Sequence, residues 1–176
     1  MIDFVRARAR MVAEQIAARG VGDPALLAVL REVPREAFVG PDQAAQAYDD
    51  TPLPIAAGQT ISQPYMVALM IEAADVCRGG RVLEIGAGSG YAAAVLSRIA
   101  AEVVAVERQP ELAAAAAERL RRLGYDNVRV VEADGSGGWP QGAPYDAILG
   151  AASGRDVPPV LLDQLAPGAR LVMPLG

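Results

Sequence analysis

The sequence predicts an α/β fold, in which a mostly parallel sheet is flanked by helices and preceded by an N-terminal helical extension. Short apolar runs alternate with helical patterns after residue 80, which is typical of a parallel sheet. A glycine-rich turn joins the first of these runs to a helix. Residues 1–75 show helical patterns without clear strands, so we expect them to form the extension.

The N-terminal helices follow from spacing and caps. Apolar residues at helical spacing predict a helix over residues 3–19, which Gly20 ends. Asp23 before Pro24 is an N-cap with proline at the first helical position, so residues 23–34 form a second helix. Residues 64–75 are expected to form a third. Residues 40–63 are rich in Pro, Gly, Asp and Thr, which predicts a long irregular and functional connection.

The remaining elements alternate strand and helix, which predicts right-handed parallel connections. The expected strands are residues 81–85, 103–106, 128–131, 145–150 and 170–173. The expected helices are residues 91–99, 110–123 and 158–165.

Composition limits the possible chemistry. A chain of 176 residues with 52% hydrophobic residues fits one domain with a substantial core. It contains no histidine, which excludes Ser-His-Asp and Cys-His catalysis. A metal site would need oxygen ligands only, and we expect none. The single cysteine, Cys77, excludes an intramolecular disulfide and is expected to be a small buried hydrophobe.

Charge and hydropathy indicate where the protein acts. The net charge of −5 provides no general attraction to a phosphate backbone, so we expect no nucleic-acid partner. The sequence has no apolar run of membrane-spanning length, and arginines interrupt its amino terminus. We therefore expect a cytoplasmic protein with no membrane partner.

The turn after the first predicted strand is the strongest motif. Glycines at 86, 88 and 90 allow turn angles closed to other residues and let a ligand approach the backbone. A dinucleotide-binding fingerprint needs a small residue at position 91, where this chain has Tyr91. The remaining pattern, Glu84-x-Gly86-x-Gly88-x-Gly90, resembles motif I of the class I S-adenosylmethionine-dependent methyltransferases. The resemblance implies a Rossmann-like fold and S-adenosyl-L-methionine as cofactor, with S-adenosyl-L-homocysteine as product.

Two acids follow the next predicted strands. Glu107 comes about 20 residues after the first glycine, where a carboxylate can accept both ribose hydroxyls of an adenosine. Asp134, which precedes Gly135, is a candidate acceptor for the adenine amino group. The alternative is that these acids cap the next helix or lie in solvent.

Segments along the whole chain resemble the protein-L-isoaspartate (D-aspartate) O-methyltransferase family. Before the glycine turn they are Val33-Pro34-Arg35-Glu36-Ala37-Phe38-Val39, Tyr48-Asp49-Asp50 and Gly58-Gln59-Thr60-Ile61-Ser62-Gln63-Pro64-Tyr65-Met66. After it they are residues 134–135, 138–140, 143–148 and 164–172. The resemblance implies a single methyltransferase domain. Residues 1–75 would supply the helices and the active-site loop, and residues 76–176 the cofactor-binding core.

The resemblance also implies an activity, which is carboxyl methylation of L-isoaspartyl residues in damaged proteins and peptides. The ester would cyclise spontaneously to a succinimide, and hydrolysis would return some normal aspartate. The serine at the position of Ser62 would be catalytic, with its hydroxyl holding the acceptor carboxylate. Taken without the family, Ser62 before Gln63-Pro64 is a helix cap.

By the same comparison, a larger set of residues should line the cofactor. These are Ile55, Ala56, Ala57, Gly58, Gln59, Thr60, Glu84, Gly86, Gly88, Gly90, Glu107, Asp134 and Gly135. Arg108, next to the ribose acid, is a further candidate, and its alternative is a solvated surface arginine.

The family continues past the strand that ends in Met173-Pro174-Leu175-Gly176. We therefore expect a shortened form with weakened peptide binding, in which residues 170–175 form an exposed strand edge. Open edges pair with other chains, which predicts self-association.

Two other functions compete with protein repair. A methyltransferase derived from the same family can act on a small-molecule acceptor. A non-catalytic module can retain the fold and bind S-adenosylmethionine or a partner protein without transferring a methyl group.

Overall fold

A computed structural model of the chain describes residues 2–151 and 154–176, and its centre is a five-stranded sheet. The strands are numbered in chain order after a separate two-stranded hairpin of β1 (Leu53–Pro54) and β2 (Thr60–Ile61). Those of the central sheet are β3 (Arg81–Ile85), β4 (Glu102–Glu107), β5 (Val128–Glu132), β6 (Tyr145–Gly150) and β7 (Leu165–Val172). Their spatial order is β5-β4-β3-β6-β7, and every neighbouring pair is parallel. The predicted parallel α/β fold is confirmed.

Helices flank this sheet. They are α1 (Phe4–Arg10), α2 (Pro24–Glu32), α3 (Pro64–Ala74), α4 (Tyr91–Ser97), α5 (Pro110–Arg122) and α6 (Pro159–Leu162). None of the helices in the described residues is long and apolar enough to cross a membrane.

The parallel strands are buried on both faces, because alternate residues belong to two different cores. Val82 of β3 and Val103 of β4 join the larger core, which also contains residues of the N-terminal helices and α4. Leu83 and Val104, one position further along each strand, join the smaller core around Tyr145. This explains why the strands read as continuous apolar runs rather than as alternating patterns.

The N-terminal helices begin and end where their caps predict. Asp3 accepts a hydrogen bond from the Arg6 amide at 3.0 Å and caps α1. The helix continues as a π-helical segment, Met11–Ile16, and a short 3-10 turn ends at Gly20 with φ of 101°. Asp23 caps α2 through the Ala25 amide at 2.8 Å.

Arg8 of α1 joins the N-terminal helices to one another through hydrogen bonds. Its guanidinium donates to the carbonyl oxygens of Arg31 and Glu32 at the end of α2, at 3.3 and 3.0 Å. It also forms a salt bridge of 3.0 Å with Glu36 and donates to the Tyr48 hydroxyl at 2.7 Å. The positive charge therefore satisfies carbonyls that the end of a helix leaves unpaired.

Two sequence predictions need correction. The connection over residues 40–63 contains a small antiparallel hairpin, β1 (Leu53–Pro54) with β2 (Thr60–Ile61), because strands of two residues carry no periodicity to detect. Cys77 is exposed rather than buried, because it lies in the turn between α3 and β3, where its carbonyl accepts from Gly80.

The end of the chain also differs from the prediction. The helix expected over residues 158–165 is the single turn α6, and the last strand begins at Leu165 instead of residue 170. Leu165 pairs with Tyr145 and Arg170 with Ala147, so residues 166–169 bulge opposite one residue of β6. β7 forms one edge of the described sheet, and pairing of that edge with a second chain stays a prediction.

We expect Asn127→Ala to destabilise the fold by about 1–3 kcal/mol, because partly buried carbonyl oxygens would lose their donor. The Asn127 amide nitrogen donates to the carbonyls of Ser97, Ala100 and Ala101 at 2.9, 3.2 and 3.3 Å, which fixes the link from α4 to β4. Urea unfolding of both proteins measures the difference. Exposed Asp126→Ala is the matched control, and an equal loss in both variants would contradict the assigned role.

Candidate active site

The candidate site lies at the carboxyl ends of β3, β4 and β6. The chain runs outward from β3 through β4 to β5 and then returns to the other side of β3 with β6. Ligands of open α/β sheets bind at such a reversal. Two adjoining cavities of about 180 and 440 Å³ open there, and both are lined by Gln59, Gly86 and Glu107.

The glycine turn folds back from β3 onto the end of β4. Gly86, Gly88 and Gly90 have φ of 91°, 53° and 86°, which residues other than glycine rarely adopt. The Val106 carbonyl accepts from the amides of Gly86 and Ala87 at 2.8 and 3.1 Å. Because these amides are already paired within the protein, the turn is suited to close contact with a ligand rather than to cradling phosphate.

Glu107 completes this connection. Its carboxylate accepts from the Gly88 amide and the Gln109 amide, both at 2.9 Å, and only 6% of the residue is exposed. Each carboxylate oxygen has a second lone pair, so Glu107 can still accept from a ligand in either cavity.

Glu84 is the most perturbed acid of the site. It is 3% exposed, and its Oε2 atom has no hydrogen-bond partner among the described residues. Burial, together with the nearby negative charge of Glu107, raises the pKa of Glu84 to about 8. A buried acid without a partner in a cavity is a candidate binding group for a cation.

The larger cavity is bordered by Arg108, Asp134 and Gly135. The Ser136 amide donates to Asp134 at 2.9 Å, and this hydrogen bond lowers the pKa of the carboxyl group. A Cβ atom on Gly135 would lie 2.5 Å from Ile85 Cγ2, so glycine is needed for this turn to approach the end of β3.

Ser62 lines the smaller cavity together with Glu84. It does not cap α3, whose N-cap is Gln63. A carboxylate oxygen of Asp50 instead accepts from the Tyr65 amide in the first turn, at 3.3 Å. Ser62 therefore lies beside the glycine turn without serving as the helix cap that its local sequence suggested.

The structure brings most of the predicted site residues together. Those that line at least one cavity are Gln59, Thr60, Ser62, Glu84, Gly86, Gly88, Glu107, Arg108, Asp134 and Gly135. Those that line neither cavity are Ile55, Ala56, Ala57, Gly58 and Gly90.

The residues outside the cavity walls have other positions. Residues 55–59 form the turn of the β1–β2 hairpin, closed by a hydrogen bond from the Ile55 amide to the Gln59 carbonyl at 2.8 Å. A Cβ atom on Gly88 would lie 3.6 Å from Ile55 Cδ1, so the Ile55 side chain covers the glycine turn. A Cβ atom on Gly90 would approach Leu120 Cδ1 to 3.1 Å, so this glycine permits close packing against α5.

Sequence reasoning missed several lining residues. Ala87 and Ser89 belong to the glycine turn, and Ala92 belongs to α4. Gly150 is the last residue of β6, and Ala151 directly follows it. The strand over residues 145–150 was predicted, but its place beside β3 was not. Because ligands of such sheets bind beyond the carboxyl ends of the strands, the end of this strand was the signal that could have located these last two residues.

Comparison with known protein families and curated sequences gives one consistent result. A family model for protein-L-isoaspartate(D-aspartate) O-methyltransferase matches residues 6–176. Protein-L-isoaspartate O-methyltransferase 1 of Rhodopseudomonas palustris (strain HaA2) is 61% identical over 173 residues, which are 98% of this chain and 71% of the relative. Protein-L-isoaspartate O-methyltransferase 2 of Pelobacter propionicus is 58% identical over 166 residues, with 94% of this chain and 74% of the relative covered.

Solved structures agree with this result. A protein-L-isoaspartate O-methyltransferase superposes with a TM-score of 0.84 at 34% identity, covering 96% of this chain and 55% of that one. A Plasmodium falciparum structure described as the same type of methyltransferase, in complex with S-adenosyl-L-homocysteine, gives a TM-score of 0.82 at 25% identity. That match covers 96% of this chain and 84% of the other.

We expect the ligand-free protein to lose stability as the pH rises from 4.5 to about 8. In this window the unfolded chain releases the Glu84 proton while the folded protein retains it, so the unfolded state binds fewer protons and becomes favoured. The contribution is constant above the folded pKa. Glu84→Gln removes this titration and should flatten the dependence of the unfolding free energy on pH, as measured by urea unfolding between about pH 5 and 9.

The matched control is Glu132→Gln on the neighbouring strand, because Glu132 is exposed and lines neither cavity. Equal slopes in the wild type and Glu84→Gln would show that Glu84 is not the group that titrates.

Proposed function

The chain belongs to the protein-L-isoaspartate (D-aspartate) O-methyltransferase family, and on this premise we propose that it methylates L-isoaspartyl residues in damaged proteins and peptides. The methyl group comes from S-adenosylmethionine and is transferred to the α-carboxylate of the isoaspartyl residue. The chain is thus an S-adenosylmethionine-dependent carboxyl O-methyltransferase.

The position of Ser62 carries the proposal. Ser62, on the segment before α3, and Glu84, at the end of β3, line one small cavity. This cavity adjoins the larger one, which Asp134 borders. A group that binds an acceptor and groups that bind a nucleoside-like donor therefore belong to one continuous site.

The described residues fit S-adenosylmethionine. When bound, this compound supplies a methyl group activated by a positively charged sulfur atom. A positively charged part of the donor would lower the pKa of Glu84 and pair with its buried carboxylate, whose Oε2 atom has no partner among the described residues. Glu107 retains lone pairs for ribose hydroxyls, and Asp134 can accept from an adenine amino group in the larger cavity. These three roles are part of the proposal.

The reaction suits a site without histidine. A carboxylate with an ordinary pKa near 4 is ionised at neutral pH, so the acceptor needs no base. The residues of the site mainly have to align the acceptor oxygen with the methyl group. The Ser62 hydroxyl can do this by donating a hydrogen bond to the second carboxylate oxygen.

The product accounts for the repair activity. The ester carbonyl is a better electrophile than the ionised carboxylate, so the neighbouring backbone amide nitrogen attacks it, releases methanol and closes a succinimide ring without further help from the protein. Hydrolysis of that ring returns some normal aspartate, and repeated methylation recycles the isoaspartyl product.

We expect the protein to methylate an isoaspartyl peptide and not the matched aspartyl peptide, as measured with labelled S-adenosylmethionine. Ser62→Ala should lower kcat/KM for the peptide by about 10-fold to 100-fold, because it removes one hydrogen bond to a charged group. The affinity for S-adenosylhomocysteine should stay unchanged.

Ser97→Ala is the matched control, because the Ser97 hydroxyl donates to Ala94 within α4 and lines neither cavity. Cofactor binding without transfer to either peptide would refute carboxyl methylation of isoaspartate. A screen of small carboxylates would then identify a metabolite acceptor, and a negative screen would leave a binding module.

We expect Glu107→Gln to weaken S-adenosylhomocysteine binding by about 10-fold or more, because one carboxylate oxygen that accepts a backbone amide becomes an amide donor. Isothermal titration calorimetry measures the change. Glu132→Gln is the control, because Glu132 pairs directly with Glu107 across β4 and β5 but is exposed. If Glu107→Gln and the wild type bind S-adenosylhomocysteine with equal affinity, Glu107 does not contact the ligand.

A further inference from the structure

Arg35 is buried more completely than an arginine normally is, with 0% of its surface exposed. Removal of the guanidinium from water lowers the pKa of Arg35. In the described part of the chain, no carboxylate lies within salt-bridge distance of it. Its charge is compensated by backbone carbonyl oxygens and by an aromatic ring.

The partners of Arg35 come from separate parts of the chain. Nε donates to the Ala47 carbonyl at 2.7 Å, and Nη2 donates to the Ser62 carbonyl at 2.8 Å. The guanidinium carbon lies 4.8 Å from the centre of the Tyr91 ring. Tyr91 is the first residue of α4 and directly follows the glycine turn. One side chain therefore contacts both the segment that carries Ser62 and the end of the glycine turn.

Core packing alone does not explain an arginine here. Well-packed apolar residues often replace buried charged groups without loss of stability. The planar guanidinium, however, can direct two donors to two carbonyls while its face lies on a ring. A lysine ammonium has a different shape and cannot reproduce this arrangement.

We propose that Arg35 is a positioning residue, which acts through the Ser62 backbone to fix the Ser62 hydroxyl relative to the glycine turn. The inference rests on the proposed role of Ser62 in methyl transfer. Misplacement of a reacting group by about 1 Å can lower a rate roughly 100-fold, so a clamp on this segment matters for alignment.

Arg8 provides the matched control. It is also a largely buried arginine that donates to backbone carbonyls and sits beside an aromatic ring, 5.7 Å from the centre of Tyr48. Its hydrogen bonds involve Arg31, Glu32, Glu36 and Tyr48 rather than Ser62. Arg8→Lys therefore measures the general cost of changing a buried arginine in the same layer.

The first test is a double-mutant cycle with an isoaspartyl peptide. We expect Arg35→Lys to lower kcat by about 10-fold to 100-fold, while the peptide KM and the S-adenosylhomocysteine affinity change little. In a Ser62→Ala background the same substitution should lower kcat by less than about twofold, because its effect passes through Ser62. Additive losses, or an equal loss of kcat in Arg8→Lys, would overturn the proposal.

The second test does not depend on activity. Hydrogen exchange of the ligand-free protein should show that Arg35→Lys raises exchange of residues 59–66 by about 10-fold, while Arg8→Lys leaves that segment unchanged. Unchanged exchange in Arg35→Lys would overturn the positioning role even if the wild type is active. If the wild-type protein does not methylate the isoaspartyl peptide, the proposed function is refuted. The hydrogen-exchange result would still decide whether Arg35 fixes this segment.

A variant that retains Arg35 covers the case in which Arg35→Lys does not fold. Tyr91→Leu removes the ring under the guanidinium, and it should raise exchange of residues 59–66 in the same direction. No increase in that variant would count against the proposal.

Discussion

The end of β4 holds the glycine turn, and the geometry of both cavities depends on this contact. The Val106 carbonyl accepts hydrogen bonds from two amides of the turn, and the Glu107 carboxylate accepts one from a third. These bonds pull the chain from the end of β3 across to β4, which requires the positive φ angles of the glycines. Because Gly86 and Glu107 line both cavities, the same bonds set the wall that the two cavities share.

This arrangement places two acids, Glu84 and Glu107, where water is excluded. Glu84 is almost fully buried, which raises its pKa, and the nearby charge of Glu107 raises this pKa further. No histidine is available in the sequence to share a proton with either acid. The ligand-free site therefore keeps Glu84 protonated at neutral pH, and a positively charged ligand would lower the pKa of Glu84 and pair with its carboxylate. Burial of an unpaired acid costs stability, which active sites commonly sacrifice.

The parallel sheet could be predicted because its strands are buried runs bounded by turn residues, which leave a strong local signal. The hairpin of Leu53–Pro54 and Thr60–Ile61 could not, since its pairing depends on contacts rather than on pattern. Ser62 was assigned to the site only through family resemblance, because its local sequence reads as a cap. The side chain that accepts from the first turn of α3 is Asp50, 15 residues before Tyr65, and no local pattern reveals a partner so far along the chain.

The 3-10 turn Arg35–Phe38 explains why position 91 is a tyrosine rather than the small residue of a dinucleotide fingerprint. Side chains three residues apart in a 3-10 helix lie on the same side, so Arg35 and Phe38 both reach one ring. Phe38 packs edge-on against Tyr91, with ring centres 5.6 Å apart, while Arg35 lies 4.8 Å from the same ring. A small residue would offer neither contact. The side chain that departs from the dinucleotide pattern is thus the one that joins the glycine turn to the segment carrying Ser62.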